Sequence, residues 1–158
     1  MKTITPQQAL AKLAAYCSKA EHCVHDVQKK LEQWGVPPET HEEIISYLIR
    51  EKYIDQTRYC RAFIRDKSEF AKWGEKKICY GLRNKGIDSE TIRHEWEEYC
   101  RSTDTKETLT ALLTAKNRQI KAANGYDRKL KLIRFALGRG FSYEEVLPLV
   151  EHLLSDCP

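Results

Sequence analysis

The chain has 158 residues, 32% of them charged and 41% hydrophobic, with a formal net charge of +4. This balance describes an ordered, helix-rich chain of one or two domains and excludes collagen-like, low-complexity and disordered classes. No run approaches the ~18 consecutive apolar residues of a membrane span, and the opening "MKTITPQQALAKLAAYCSKAEHC" lacks the continuous apolar stretch of a secretory signal.

The first helical segment is Gln7–Ser18, with Leu10, Leu13 and Ala14 in register. After it comes "DVQKKLEQWGVPPETHEEIISYL", a helix that ends at Gly35, an apolar Val36, and a third helix started by Pro37 and Pro38. The next segment, Asp55–Phe70, places Tyr59, Phe63 and Phe70 on or near one stripe. "EKKICYGLRNKGIDSETIRHEWEEY" then repeats the pattern around Gly86, Ile87 and the N-cap residue Asp88. Thr105–Ala123, with Leu109, Leu112, Leu113 and Ile120, precedes a third copy, "RKLKLIRFALGRGFSYEEVLPLV". There Gly140 is followed by Phe141, and Ser142 with Glu145 forms a capping box.

Aligned on Gly35, Gly86 and Gly140, the copies agree position by position. Eight residues before the glycine stand Val27, Ile78 and Leu132, and four before stand Leu31, Leu82 and Ala136. An i, i+4 pair lies on one helical face. The glycine ends the helix, because it takes the left-handed conformation without a Cβ clash. Ten and thirteen residues after it come Ile45 and Leu48, Trp96 and Tyr99, Val150 and Leu153, predicted as the inner face of the third helix. No segment alternates with period two, so no strand is predicted. The reading is all-α: three tandem three-helix units, residues 1–53, 54–102 and 103–158, stacked as an elongated, curved monomer.

Catalytic chemistry has no foothold in this pattern. There is no phosphate loop, nucleophile elbow or metal motif, and no cofactor is expected. The six cysteines, Cys17, Cys23, Cys60, Cys79, Cys100 and Cys157, form no CxxC pair and read as reduced thiols. Cys17, His22, Cys23 and His25 match no zinc spacing. The five histidines sit on polar segments, with surface or capping roles, and Trp34, Trp73 and Trp96 beside helix ends read as elbow packing.

Binding is better supported. From Lys116 to Arg139, eight basic side chains stand against Asp127 alone. Nine residues before each glycine stand Asp26, Lys77 and Lys131; six before, Lys29, Tyr80 and Arg134; one before, Trp34, Lys85 and Arg139. The second and third units thus offer Lys77, Lys85, Lys131, Arg134 and Arg139 as a line of cations on the face away from the apolar stripe, suited to phosphates or an acidic groove. A direct DNA-binding helical protein or transcription regulator with a helix-turn-helix is the alternative, yet the second helix of each glycine-joined pair is acidic, as in "PETHEEII" and "SETIRHEWEEY".

"YIDQTRYCRAFIRDK" followed by "WGEKKICYGLRNKGI" resembles the central signature of the bacterial RecX family, with Ile54, Asp55, Arg58, Tyr59, Phe63, Gly74, Ile78, Leu82, Lys85, Gly86 and Ile87 as the matching positions. The third copy is similar to that family's C-terminal pattern at Arg139, Gly140 and Phe141, and the first copy matches more loosely. The chain departs at Gln56, where many members carry a second acid, and at Cys17, Ser18 and Lys19, where the family is Arg-rich. The resemblance implies three tandem three-helix units and a cytoplasmic regulator of the RecA recombinase. It implies a partner that lies along the groove of the RecA–DNA filament and suppresses its recombinase, ATP-hydrolysing and coprotease activities.

Overall fold

The computed structural model describes residues 4–155. Cys157 and the outermost residues of the first and third units lie outside that range. The described residues form helices α1 (Pro6–Lys19), α2 (Val24–Gln33), α3 (His41–Arg50), α4 (Gln56–Glu69), α5 (Glu75–Asn84), α6 (Ser89–Ser102), α7 (Thr105–Gln119), α8 (Gly125–Gly138) and α9 (Tyr143–Ser155), with no strand among them. Most starts are capped by side chains that satisfy the first free N–H groups. Asp55, Asp88, Asp104 and Asn124 accept from Arg58, Thr91, Glu107 and Asp127 N–H. Ser142 and Glu145 close the expected capping box, at 2.8 and 3.2 Å.

Helices α1–α3, α4–α6 and α7–α9 each enclose their own apolar cluster, so the fold is three three-helix units in tandem. The repeat positions behave as read: Val27, Leu31, Ile78, Leu82, Leu132 and Ala136 are fully buried, and Val36, Ile87 and Phe141 fold back onto the helix they leave. A buried side chain of this size contributes roughly 1.5–3 kcal/mol, and in tandem arrays the interface with the next unit adds to what each core supplies. The chain exposes 10094 Å², against about 8,200 Å² for a compact monomer of its mass. That excess is the signature of separate cores in series.

Four details differ from the sequence expectation. Pro37 and Pro38 open a 3-10 turn, Pro38–Thr40, and α3 starts only at His41, because two successive prolines supply no N–H to continue a helix from there. The inner face of the third helices is centred earlier than predicted, on His41, Ile44 and Leu48, on Ile92 and Glu95, and on Val146 and Val150. His41 is therefore buried: its Nε2 lies 2.7 Å from Val36 O and its Nδ1 2.9 Å from Gln28 Nε2, which fits a neutral ring with the proton on Nε2. Glu95, 3% exposed, is held by Arg61 through both carboxylate oxygens at 3.0 and 3.3 Å. On α4 the buried stripe runs through Tyr59, Cys60, Ile64 and Ser68, while Phe70, past the helix end, is 79% exposed.

Gly35, Gly86 and Gly140 all have positive φ, at 68°, 79° and 97°, as the elbow requires. Lys52 and Lys72 adopt the same region, at 62° and 58°, where a Cβ is strained. Nothing lies within 4 Å of a Cβ built on Gly86, whereas one on Gly140 would sit 2.4 Å from Lys77 Cβ. Gly86→Val is expected to lose about 1–2 kcal/mol from conformational strain alone. Gly140→Val is expected to lose clearly more, and Lys52→Gly to gain up to about 1 kcal/mol. Urea unfolding midpoints check the order; equal losses at Gly86 and Gly140 would show that the close contact at Gly140 is absent.

Candidate functional site

All five cations predicted to face a partner come from the middle helices α5 and α8 or the residue that caps them. The structure divides them by what they touch. Arg139 caps the C-terminus of α8 and stands at the junction with the second unit. Its carbonyl accepts the Gly74 N–H at 2.7 Å, the Gly140 carbonyl accepts the Lys76 N–H at 3.0 Å, and its Nη1 donates to Ala71 O at 2.7 Å. Two N–H groups at the start of α5 are thereby satisfied by the carbonyls that end α8, and the two helix dipoles meet head to tail. The approach is close: a Cβ on Gly74 would lie 2.6 Å from Gly140 C. Lys77 Cβ fills the space over Gly140, and its ammonium lies 4.6 Å above the Trp73 ring.

Lys85 occupies the same repeat position as Arg139 and the same place one unit earlier. It caps α5, and its ammonium donates to Asp26 Oδ1 near the start of α2 at 2.8 Å. Asp26 also accepts the Cys23 N–H at 3.4 Å and faces His22 Nδ1 at 3.5 Å; the His22 ring stacks on Tyr16, with centroids 3.6 Å apart. Cys23 leaves the first unit and is fully buried in the core of the second, with Tyr59, Cys60 and Ile78. Arg58 completes the junction, donating to Glu21 at 2.5 Å and to Lys52 O at 3.0 Å. The position nine before one glycine therefore meets the position one before the next glycine at the first junction, Asp26 with Lys85, and the next glycine itself at the second, Lys77 with Gly140.

The five cations thus fall into two groups: Lys77, Lys85 and Arg139 are half-buried at the joints between units. Lys131 stays exposed, its ammonium 3.2 Å from Asp127 and 2.7 Å from Lys121 O. Arg134 is exposed and makes no hydrogen bond or ion pair among the described residues. The sequence reading passed over Lys76 and Arg83 and named Tyr80 only as a repeat position. They share the face of α5 opposite Ile78 and Leu82, and that periodicity was the signal available. With Leu137 and Gly138 they line an open groove of about 660 Å³ at the junction of the second and third units.

Burial pushes the Cys17 thiol up to about 11 and the Cys60 thiol up to about 12, so both stay protonated at neutral pH. The two junctions carry acids with opposite perturbations. Burial raises the Asp26 carboxyl, but the Lys85 ammonium and the Cys23 N–H outweigh it and hold the group below its ordinary value. Burial, then the Glu145 carboxylate, pushes Glu75 above its ordinary value. A depressed acid contributes stability that is present above the unfolded pKa, near 4, and lost as pH falls through the folded value. A raised acid contributes stability that is present below the unfolded pKa and lost as pH rises through the folded value. Acid is thus expected to weaken the Asp26 junction and to strengthen the Glu75 junction. Asp26→Asn should cost about 1–2 kcal/mol at neutral pH and flatten the acid-side fall in the urea midpoint. Glu75→Gln should leave that fall intact and raise the midpoint at pH 7. Identical acid slopes in wild type and Asp26→Asn would mean the Lys85 pair does not form.

Residues 55–94 match the RecX second three-helix domain and residues 104–147 the RecX third three-helix domain, together more than half of the chain. The chain is 25% identical over 152 residues to the Regulatory protein RecX of Clostridium acetobutylicum, covering 94% of this chain and 70% of that one. It is 25% identical over 150 residues to the Regulatory protein RecX of Prosthecochloris aestuarii, covering 95% and 96%. In the fold, a crystal structure of regulatory protein RecX superposes with a TM-score of 0.80 at 23% identity, over 96% of this chain and 73% of that one. RecX from Lactobacillus salivarius superposes at 0.76 and 22%, over 94% and 96%. With its two matched domains, its three-unit order and its signature residues Arg58, Lys85 and Arg139 set at the junctions, the chain belongs to the RecX family.

Proposed function

We propose that this protein is a non-enzymatic regulator, an inhibitor, of the RecA recombinase. It acts in the cytoplasm along the groove of the RecA–DNA filament and so modulates recombination, DNA repair and the SOS response. The observation that carries the reading is family membership over an architecture made of joints: three units in series, with cations left over along α5 and α8 once the junctions have taken theirs. A long, jointed surface of this kind fits a repetitive polymer better than a small molecule. Among the described residues no three metal-binding side chains converge and no helix is long and apolar enough to cross a membrane. Against direct entry into a DNA major groove, the third helices open with Glu42 and Glu43, Glu90, and Glu144 and Glu145, which repel phosphate.

Co-sedimentation with RecA filaments preformed on single-stranded DNA tests this. The chain is expected in the pellet with filaments, and strand exchange is expected to fall as it is added. Binding to naked duplex that equals filament binding at both low and high salt would favour the DNA-binding alternative. Lys131→Ala combined with Arg134→Ala leaves the junctions untouched. It should keep the melting midpoint and reduce filament binding about three- to tenfold, with a flatter salt dependence.

A further inference from the structure

Several basic side chains make no hydrogen bond or ion pair among the described residues, and three of them stand on the middle helices α5 and α8. Lys76 and Arg83 on α5 and Arg134 on α8 make no hydrogen bond or ion pair among the described residues, whereas Lys85, Arg139, Arg58 and Arg61 all do, and the Lys77 ammonium lies over the Trp73 ring. Lys76 and Arg83 line the 660 Å³ groove where α5 meets the end of α8. The groove also holds two of the few large apolar side chains that the fold leaves uncovered, Tyr80 at 61% and Leu137 at 41% exposure. Beside Leu137 stands Gly138, the last residue of α8. Its φ is not in the left-handed region, and a Cβ there would meet nothing within 4 Å. The fold has no use for a glycine at this place, and a glycine there costs helix stability relative to alanine. What it provides is an open floor on which another chain can lie against the backbone.

We infer that this groove docks an acidic segment of a partner protein, with an apolar side chain of that segment seated between Tyr80 and Leu137 and its carboxylates met by Lys76, Arg83 and Arg134. This rests on the reading of the protein as a RecA-filament regulator and places the filament's protein component, rather than its DNA, in the groove. Apolar anchors ringed by cations have the anatomy of a protein interface, with Tyr and Arg as its strongest contributors. Nucleic acid fits less well. Base stacking needs successive aromatic faces, whereas the groove pairs one aromatic with an aliphatic residue, and the Glu75 carboxylate on its wall repels phosphate. The charge left over calls for an acidic partner.

The test measures binding of the full chain to RecA filaments assembled on poly(dT) with a non-hydrolysable nucleotide and, in parallel, to naked poly(dT). Three variants are compared with wild type: Tyr80→Ala with Leu137→Ala, Lys76→Ala with Arg83→Ala, and Gly138→Leu. Gly138→Leu fills the groove at a site with room for a side chain, so its melting midpoint should equal or exceed that of wild type, which removes misfolding as an explanation. The apolar pair and Gly138→Leu should each weaken filament binding about tenfold while leaving poly(dT) binding unchanged, and the cation pair should flatten the salt dependence of filament binding. Parallel losses on naked poly(dT) would make the groove a nucleic-acid site and overturn the inference. Wild-type filament binding by a folded Gly138→Leu overturns it as well, with the RecA reading intact. A wild-type chain that never pellets with filaments overturns that reading and this inference together.

Discussion

The structure depends on helices meeting end to end. Where the C-terminus of α8 meets the N-terminus of α5, the Arg139 and Gly140 carbonyls take the N–H groups of Gly74 and Lys76. A helix end buried without partners would strand polar groups, and here each end supplies what the other lacks. The geometry admits no side chain at Gly74 or Gly140, so two glycines far apart in sequence are fixed by one contact. The column of middle helices that results orders the units, and the flanking helices wrap small cores around it.

The same arrangement recurs one unit earlier with different chemistry. There the end of α5 reaches the start of α2 through the Lys85–Asp26 ion pair, the Arg58–Glu21 pair and the buried thiol of Cys23. Backbone hydrogen bonds such as Gly74 N–H to Arg139 O and Lys76 N–H to Gly140 O are indifferent to salt, whereas partly exposed ion pairs are screened by it. The two joints are thus unequal. The second and third units are locked by main chain, and the first is tied on by charges that ionic strength and an anionic partner both contest. Lys85, which reads as a surface cation, and Arg58, a second signature residue, have their charge committed to Asp26 and Glu21.

This commitment changes how the basic character of the chain bears on binding. A net charge of +4 says little when the strongest cations are already paired. What bears on a partner is the cations left unpaired, among them Lys76, Arg83 and Arg134 on α5 and α8. The terminal units show the same logic in reverse. Lys131, the equivalent of Asp26 and Lys77, stays exposed, and in the first unit the equivalent of Lys85 and Arg139 is Trp34, which packs on its own core under Lys12.

Local and periodic features were fully determined by the sequence. The i, i+4 apolar pairs, the glycine elbows and the caps Asp88 and Ser142 involve residues within a few positions of one another, so their physics is written in short windows. Three helices per unit and three units in series followed from that. Where the third helices turn their faces was only half legible, because Glu95 and His41 are polar residues buried by partners, Arg61 on another helix and the Val36 carbonyl, that no periodicity reveals. The fate of Lys77, Lys85 and Arg139 was decided by the tertiary structure alone. A cation opposite an apolar stripe looks solvent-facing until another unit arrives against it, and contacts between residues 59 and 68 positions apart, Asp26 with Lys85 and Ala71 with Arg139, exist only once the units are stacked.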